Sequence, residues 1–259
     1  EIDYAKQRHH YGAIGLEAAW GITTGNASDP VTVAIIDSGH APQHPDLDAN
    51  TARTPAMAVD GYDFYSNPTT SGDGDGRDGD PTDTRFERIV NGNAESQASH
   101  GTHVAGTVGA EANNGTGGVG VCWSVRLMPV RVLSNFREPG GAMDISDGIK
   151  WASGQSVAGV PAPSRSAEIL NLSLGGPVAN MMQEAALDMA VASGVVAVAA
   201  AGNDNTPAPG FPASYPSVIS VAATGPGNVK ASYSNFGPFI DIASPGVEGL
   251  GADGVYSTN

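Results

Sequence analysis

Short apolar runs alternate along this chain with longer segments in which apolar residues recur at helical spacing. A near-continuous apolar run rich in β-branched residues is typical of a strand buried on both faces of a parallel sheet. Strands are predicted at residues 31–37, 125–133, 169–174, 195–200 and 218–223. Helices are predicted between them at residues 100–112, 143–154 and 178–193. The pattern therefore predicts an α/β fold, with a parallel sheet covered by helices on both faces.

Polar residues fall where the predicted strands end. Asp37 closes the first strand, Ser173 lies near the end of the third, and Asn203 follows the fourth. Binding and catalytic groups of open parallel sheets gather at the carboxyl ends of the strands, so a site is expected there. The glycine- and aspartate-rich stretch 66–83 predicts a long surface loop. Neither an internal repeat nor a linker interrupts the chain, and residues 1–259 are interpreted as one domain.

Acidic residues outnumber basic ones by 27 to 12, which gives a formal net charge of −15. Such a surface repels phosphate backbones and anionic membranes, so neither nucleic acid nor a membrane is expected as a partner. The longest small and apolar run, residues 194–202, is too short to cross a bilayer. The charge suits divalent cations and a secreted, extracellular protein. The start at Glu1, without a signal peptide, is expected of a processed N-terminus.

Cys122 is the single cysteine of the chain. Its surroundings at residues 119–127 favour a buried free thiol, and the alternative is a disulfide to a cysteine beyond residue 259. Nothing around it indicates a catalytic thiol.

An acid–base pair is predicted from Asp37 and His100. Alone, a carboxylate after a strand is most simply a strand-end cap. His100, however, opens a predicted helix of small residues behind a Ser99 N-cap, where the helix dipole favours the neutral imidazole that a general base needs. A buried aspartate can fix the tautomer of such a base. The alternative is a metal pair of His100 and His103, but the further ligands of a zinc motif are missing nearby. His103 is therefore interpreted as a structural residue.

Four segments resemble, in order, the motifs of subtilisin-like serine proteases, the subtilase family. Residues 33–39 (VAIIDSG), followed by HPDL, resemble the aspartate motif, and residues 100–106 (HGTHVAG) resemble the histidine motif. Residues 171–177 (NLSLGGP) resemble the substrate-binding strand, and residues 199–203 (AAAGN) resemble the oxyanion-asparagine motif. The resemblance implies a three-layer, doubly wound, mostly parallel sheet. It also implies a secreted serine endopeptidase of broad specificity that cleaves proteins or peptides through an Asp-His-Ser triad and an acyl-enzyme.

The resemblance assigns catalytic roles to three residues. Asp37 orients His100, His100 takes the proton of the serine, and Asn203 donates its amide to the oxyanion.

Six further residues are implied in substrate binding. Three belong to the edge strand that pairs with extended substrate, and three line the primary specificity pocket. They are Ser173, Leu174 and Gly175, and then Ala200, Gly202 and Asp204. Within the pocket, Asp204 is expected to add a preference for basic side chains.

The catalytic serine that the resemblance implies is expected beyond residue 259. The family places its serine in a Gly-Thr-Ser-Met-Ala segment downstream of a motif that matches residues 244–246 here, and the chain ends at Asn259 without that segment. Ser232, Ser234 and Ser257 stand in the wrong context. A second chain that carries the serine, held noncovalently after a nick, is the preferred expectation. Without the helix after that serine, apolar sheet surface is expected to be exposed.

Calcium is the cofactor implied by the resemblance, because hard cations prefer several oxygen ligands. The predicted ligands of the main site are Gln7, Asp46 and Asn114, with residues 113–119 as its loop. A second site is predicted in the acidic loop, and the alternative is a flexible, solvated loop. Its candidate ligands are Asp73, Asp75 and Asp78, followed by Asp80 and Asp83.

Two other classes of protein compete with the protease. A catalytically inert relative that acts as a binding module would have no physical need to keep Asp37, His100 and Asn203 together. A nucleotide-binding protein would need a Gly-x-Gly-x-x-Gly turn after the first strand or a Walker lysine, and the sequence has neither.

Overall fold

The computed structural model describes residues 3–52, 60–83, 87–90, 93–96, 100–134, 140–246, 255 and 257. The strands are β1 Val31–Asp37, β2 Tyr62–Asp63, β3 Glu87–Val90, β4 Asn93–Ser96, β5 Val125–Arg131, β6 Ile169–Leu172, β7 Val196–Ala200, β8 Ile219–Thr224 and β9 Ile242–Pro245. The helices are α1 Tyr4–Ala13, α2 Leu16–Trp20, α3 His100–Gly109, α4 Ala142–Ala152 and α5 Met181–Ala192, with a 3₁₀ turn at Pro226–Asn228.

The predicted doubly wound parallel sheet is confirmed. Seven strands pair in the order β2-β5-β1-β6-β7-β8-β9, and all of their ladders are parallel. The chain adds β5 on one side of β1 and then crosses back to add β6 on the other side, so the direction of winding reverses at β1. β3 and β4 form a separate antiparallel ribbon. The reversal places the carboxyl end of β1, and with it Asp37, at the topological switch point.

Strand β1 divides the core into its two layers. Ala34 and Ile36 pack in a large cluster with side chains of α4 and α5, whereas Val33 and Ile35 pack with Ala105 of α3. Successive side chains of a strand point to opposite faces, so a run in which nearly every residue is apolar requires helices on both sides. That requirement is met at β1, where every residue after Val31 is buried.

Helix α3 ends at Gly109, three residues before the predicted end. The backbone N–H of Glu111 donates to the carbonyl oxygen of Asp46 and so leaves the helical ladder. The carbonyl oxygens of Thr107 and Val108 accept instead from the N–H groups of Val121 and Cys122. Tertiary partners therefore satisfy the C-terminal carbonyls, and no local sequence signal predicts this stop.

Two other boundaries, both in segments next to the cleft, also differ from the prediction. Helix α5 begins at Met181 rather than at residue 178, because the Asn180 side chain accepts hydrogen bonds from the N–H groups of Met182 and Gln183 and caps the helix. Strand β6 ends at Leu172, so Ser173 and Leu174 lie beyond the ladder, on the rim of the site.

Six helices and strands were not predicted: α1, α2, β2, β3, β4 and β9. Helix α1 is polar on most sides, so it carries no apolar period, and contacts of its buried residues Gln7 and Tyr11 hold it to the body of the protein. Strand β2 has two residues and β9 has four, which is too short for a pattern.

The sheet exposes an apolar face near its β9 edge, as expected. Val196, Ile219 and Ile242 are 43%, 42% and 58% exposed. Within the part of the chain that the structure describes, no helix is both long and apolar enough to span a bilayer. Cys122 is a free thiol and is half-buried, with Sγ 3.6 Å from the carbonyl oxygen of Ser124.

Candidate active site

The structure brings Asp37 and His100 together at the switch point. Nδ1 of His100 lies 2.7 Å from Oδ1 and 3.0 Å from Oδ2 of Asp37. The Asp37 carboxylate is fully buried and also accepts a hydrogen bond of 2.7 Å from the Ser38 N–H, whereas about a third of the His100 side chain is exposed. A carboxylate in this position fixes the imidazole with its proton on Nδ1, so that Nε2 faces outward as a proton acceptor.

Close backbone packing sets this pair in place. A Cβ added to Gly101 would overlap the carbonyl oxygen of Gly39, so α3 approaches β1 as closely as it does only because residue 101 is glycine. Ser38 Oγ accepts from the Gly101 N–H at 3.1 Å and donates to Asp83 Oδ2 at 2.8 Å. The end of the acidic loop therefore supports the turn that follows Asp37.

His103 lies on the same helix but takes part in different contacts. Its Nε2 lies 3.3 Å from the carbonyl oxygen of Val255, and its own carbonyl oxygen accepts from Ser257 Oγ at 2.8 Å. Across the described ranges, no group of three or more His, Cys, Asp or Glu side chains is placed to hold a metal ion.

Asn203 lies in the turn after β7, and in the sheet β6 separates β7 from β1. It is exposed, and Gly202 before it has φ of +104°, a left-handed conformation that glycine adopts freely. The turn projects Asn203 into the cleft that His100 lines. An amide donor and an imidazole acceptor thus face the same space.

The cleft between them has a volume of about 480 Å³ and is lined by the segment after β6. Ser173, Leu174 and Gly175 line the cleft together with His100 and Asn203. Gly176 forms an antiparallel bridge with Phe211, which fixes the outer end of this segment. The predicted substrate-binding residues are therefore brought together with the acid–base pair.

A second cavity of about 310 Å³ opens beside Asn203. Its lining includes all three residues predicted for the specificity pocket, Ala200, Gly202 and Asp204. The small side chains of the first two leave the cavity open, and the exposed Asp204 carboxylate contributes a negative charge.

Asn235 also lines this cavity, and sequence reasoning missed it. It is 3% exposed and its side chain contacts the turn around Asn203. In the sequence it looks like any turn asparagine, so only its three-dimensional partners distinguish it.

The residues predicted for the main calcium site also meet. Asp46 is fully buried, and its carboxylate accepts hydrogen bonds from Asn114 Nδ2 and the Gly118 N–H, both at 3.2 Å. Gln7 Oε1 accepts from the Val119 N–H at 2.9 Å. A Cβ at Gly118 would lie 2.7 Å from the Gln7 amide, and one at the preceding glycine would overlap Asp46. Side chains from α1, the 44–47 turn and the 113–119 loop therefore meet at one glycine-lined cradle. The Asp46 carboxylate and the Gln7 amide oxygen are ligand types that Ca²⁺ prefers.

The acidic loop is organised differently from the prediction. The Asp73 carboxylate pairs with Arg131, a fully buried arginine that also pairs with Asp63 at 2.6 Å. Arg77 from the same loop binds Asp144 at 2.6 Å and Asp147 at 2.8 Å on α4.

Carboxylates of the loop also accept hydrogen bonds from its own turns and from the body of the protein. Asp73 and Asp78 accept from the N–H groups two residues ahead, those of Asp75 and Asp80, and Asp83 accepts from Ser38. Arginines thus tie the loop to the body. Among the described residues, Asp73, Asp75 and Asp78 are not grouped in a way that could hold a metal ion.

A buried acid–base pair at the switch point of a parallel sheet, with an amide donor facing the same cleft, is the arrangement that defines the subtilisin-like class of proteases. The model of the subtilase family matches residues 28–259. This chain belongs to the subtilase family.

Similar proteins come from several bacteria. An extracellular protease of Xanthomonas campestris pv. campestris is 43% identical, with 90% of this chain and 39% of the relative covered. Thermitase of Thermoactinomyces vulgaris is 34% identical, with 91% and 70% covered. A solved structure of a protease from Pseudoalteromonas arctica has a TM-score of 0.81 at 40% identity, with 94% of this chain and 71% of that chain covered. The chain spans about two fifths of the length of the Xanthomonas relative.

Proposed function

We propose that this chain forms the acid–base and substrate-binding part of a secreted serine endopeptidase. The observation that carries the proposal is the 2.7 Å contact between His100 Nδ1 and the buried Asp37 carboxylate, beside a cleft that Asn203 also lines. Relatives from Xanthomonas campestris and Dichelobacter nodosus are named extracellular proteases, which supports secretion.

The chemistry follows from these positions. The serine is assigned to the Gly-Thr-Ser segment, which follows residue 259 in the order of the family's motifs. Its Oγ forms a bond to the substrate's carbonyl carbon while His100 Nε2 takes its proton, and Asp37 stabilises the resulting imidazolium. Asn203 donates its amide to the oxyanion. When the C–N bond breaks, His100 returns the proton to the leaving amine, and water then hydrolyses the acyl-enzyme by the same route in reverse.

Substrate binding relies on main-chain pairing. An extended peptide lies against Ser173, Leu174 and Gly175, and main-chain hydrogen bonds there do not depend on the substrate's side chains, so broad specificity follows. The open cavity beside Asn203 accepts a large side chain, and Asp204 adds a preference for a basic one. A substrate panel in which Asp204→Asn leaves the ratio of Lys or Arg to Leu cleavage unchanged would contradict that preference.

Calcium is proposed as the stabilising cofactor of the cradle formed by Gln7, Asp46 and Asn114. Bound Ca²⁺ would neutralise the buried carboxylate and tie α1 to the 113–119 loop. The cradle lies outside the catalytic cleft, so its contribution is to stability. For the acidic loop, a second calcium site stays a prediction. Isothermal titration of an Asp75→Ala, Asp78→Ala double variant tests it: loss of one calcium-binding event relative to the wild type would support the site, and no loss would contradict it.

The experiment that tests the function is fluorophosphonate labelling of the native protein, followed by denaturing mass spectrometry. A label on a serine, together with loss of labelling in His100→Ala, is expected. His9→Ala, which alters an exposed histidine outside the cleft, is the matched control and should keep the label. If the folded native protein takes no label, the chain acts as an inert binding module. The label's position also decides whether the serine lies on a separate polypeptide.

A further inference from the structure

One buried side chain, that of Asn235, holds the turn that carries Asn203. Its Nδ2 donates to the carbonyl oxygen of Ala201 at 2.9 Å. Its Oδ1 accepts from the backbone N–H groups of Asp204 at 2.9 Å and Thr206 at 3.3 Å. These partners lie on both sides of Asn203, so a single amide spans the turn.

The backbone on either side of Asn235 adds further hydrogen bonds to the same turn. The Asn235 N–H donates to the carbonyl oxygen of Gly202 at 2.9 Å, and the Phe236 N–H donates to that of Thr206 at 3.1 Å. In the opposite direction, the Asn205 N–H donates to the carbonyl oxygen of Tyr233 at 2.7 Å. The two segments therefore run side by side, with the Asn235 side chain between them.

The fit between Gly202 and Asn235 is close. A Cβ on Gly202 would lie 2.5 Å from Asn235 Nδ2, and φ at Gly202 is +104°. The glycine thus provides both the left-handed turn and the space that the amide fills. Asn235 is 3% exposed, so its side-chain amide makes these hydrogen bonds shielded from water.

We propose that Asn235 is a positioning residue for the oxyanion donor Asn203. The inference rests on the proposed function, in which Asn203 donates to the oxyanion. Asn203 is itself exposed, so the backbone of its turn must set its direction. Such a donor stabilises the transition state only when it is held within a fraction of an ångström of its place. Asn235 supplies that constraint through one donor and one acceptor atom, without touching the reacting atoms.

A double-variant cycle tests the inference in the complete, active protease. Turnover is measured per titrated active site for wild type, Asn203→Ala, Asn235→Ala and the double variant. Asn235→Ala is expected to lower kcat about tenfold with little change in KM. In the Asn203→Ala background the same change should have almost no further effect. Losses that multiply in full, or an Asn235→Ala variant with unchanged kcat, would overturn the proposal.

Asn26→Ala is the matched control for this cycle. It removes the same side-chain amide, which accepts one exposed hydrogen bond of 3.1 Å from the Ser28 N–H before β1. Because that turn lies at the amino end of β1, away from the cleft, kcat should equal that of the wild type in both backgrounds.

Hydrogen exchange tests, independently of activity, whether Asn235 holds the turn. In Asn235→Ala, the amides of Asp204 and Thr206 should exchange about tenfold faster, while amides of β1 keep their protection. Unchanged exchange at these two amides would overturn the inference even in an active enzyme. If the wild-type protein takes no fluorophosphonate label, the proposed function fails, and the exchange result still decides whether Asn235 holds the turn.

Discussion

Gly101 of α3 lies against the carbonyl oxygen of Gly39, with no room between them for a side chain. The contact joins the first turn of the helix to the turn that follows Asp37, and it lies directly beside the hydrogen bond between His100 and Asp37. The acid–base geometry is therefore set by backbone packing.

Gly101→Ala should disrupt the site. The added methyl group must push α3 away from β1, and overpacking of this kind typically costs about 1–3 kcal/mol. We expect a lower melting temperature and a loss of kcat of at least about tenfold, since small misplacements of catalytic groups cost up to roughly 100-fold. Gly12→Ala, in helix α1 with nothing within 4 Å of the added Cβ, is the matched control and should be neutral or slightly stabilising. Equal behaviour of the two variants would contradict the packing argument.

Asp37→Asn should remove activity while keeping the fold. An asparagine can still accept from the Ser38 N–H, but it presents no carboxylate to hold the proton on His100 Nδ1. In a subtilisin, a member of this family, loss of the aspartate costs about 3 × 10⁴ in kcat. We expect a loss of that order with KM and melting temperature little changed, measured on a peptide anilide and by calorimetry. A kcat within a factor of ten of the wild type would show that Asp37 does not orient the base.

Asp46→Asn should make stability insensitive to calcium. Chelation is expected to lower the melting temperature of the wild-type protein by on the order of 5–10 °C, because a ligand that binds only the folded state stabilises it. In Asp46→Asn, which lacks the buried carboxylate of the cradle, chelation should change little. Asp48→Asn, an exposed aspartate two residues away, should respond like the wild type. If all three proteins respond alike, the calcium lies elsewhere.

Arg131→Met should destabilise the protein strongly. The change leaves Asp63, which is 1% exposed, without the cation that it contacts at 2.6 Å, and breaking a buried pair from one side typically costs about 3–5 kcal/mol. Arg165→Met removes an arginine from ion pairs with Asp29 and Glu168 that are exposed to water, and about 0–1 kcal/mol is expected. Urea unfolding measures the difference. If Arg131→Met cost no more than Arg165→Met, the acidic loop would not depend on its buried arginine.

His10 should make the protein less stable in acid. Burial lowers the pKa of His10 to about 4, and repulsion from His9 and His103 adds to the shift. The unfolded chain, with a pKa of about 6.5, then binds a proton that the folded chain does not, so stability falls as the pH drops from about 6.5 to about 4.

His10→Phe should flatten this dependence. Among the described residues neither ring nitrogen of His10 has a hydrogen-bond partner, and the ring packs edge-on against Tyr11, a contact that phenylalanine keeps. Urea unfolding from pH 7 to pH 4 measures it. His9→Phe, at an exposed position, should keep most of the slope. An unchanged slope in His10→Phe would mean that other groups cause the acid sensitivity.

Periodicity predicted the elements that are buried on both sides. Strand β1 agrees with its prediction at both ends, because a strand between two helical layers must be apolar at nearly every position. Periodicity did not predict helix α1, because its buried residues, Gln7, His10 and Tyr11, do not form a recognisable apolar face in the sequence. Tertiary hydrogen bonds to the 113–119 loop hold it in place.

The sequence by itself determined the family and the parallel sheet, and it indicated Asp37, His100 and Asn203 as candidate site residues. These inferences depend on local patterns and on motifs that keep their spacing along the chain. Only the tertiary structure decided that Arg131 pairs with Asp73 of the acidic loop and that Asn235 spans the turn of Asn203. Those contacts join residues 58 and 31 positions apart. A side chain's partner at such a separation depends on how the whole sheet folds, and no local pattern in the sequence encodes it.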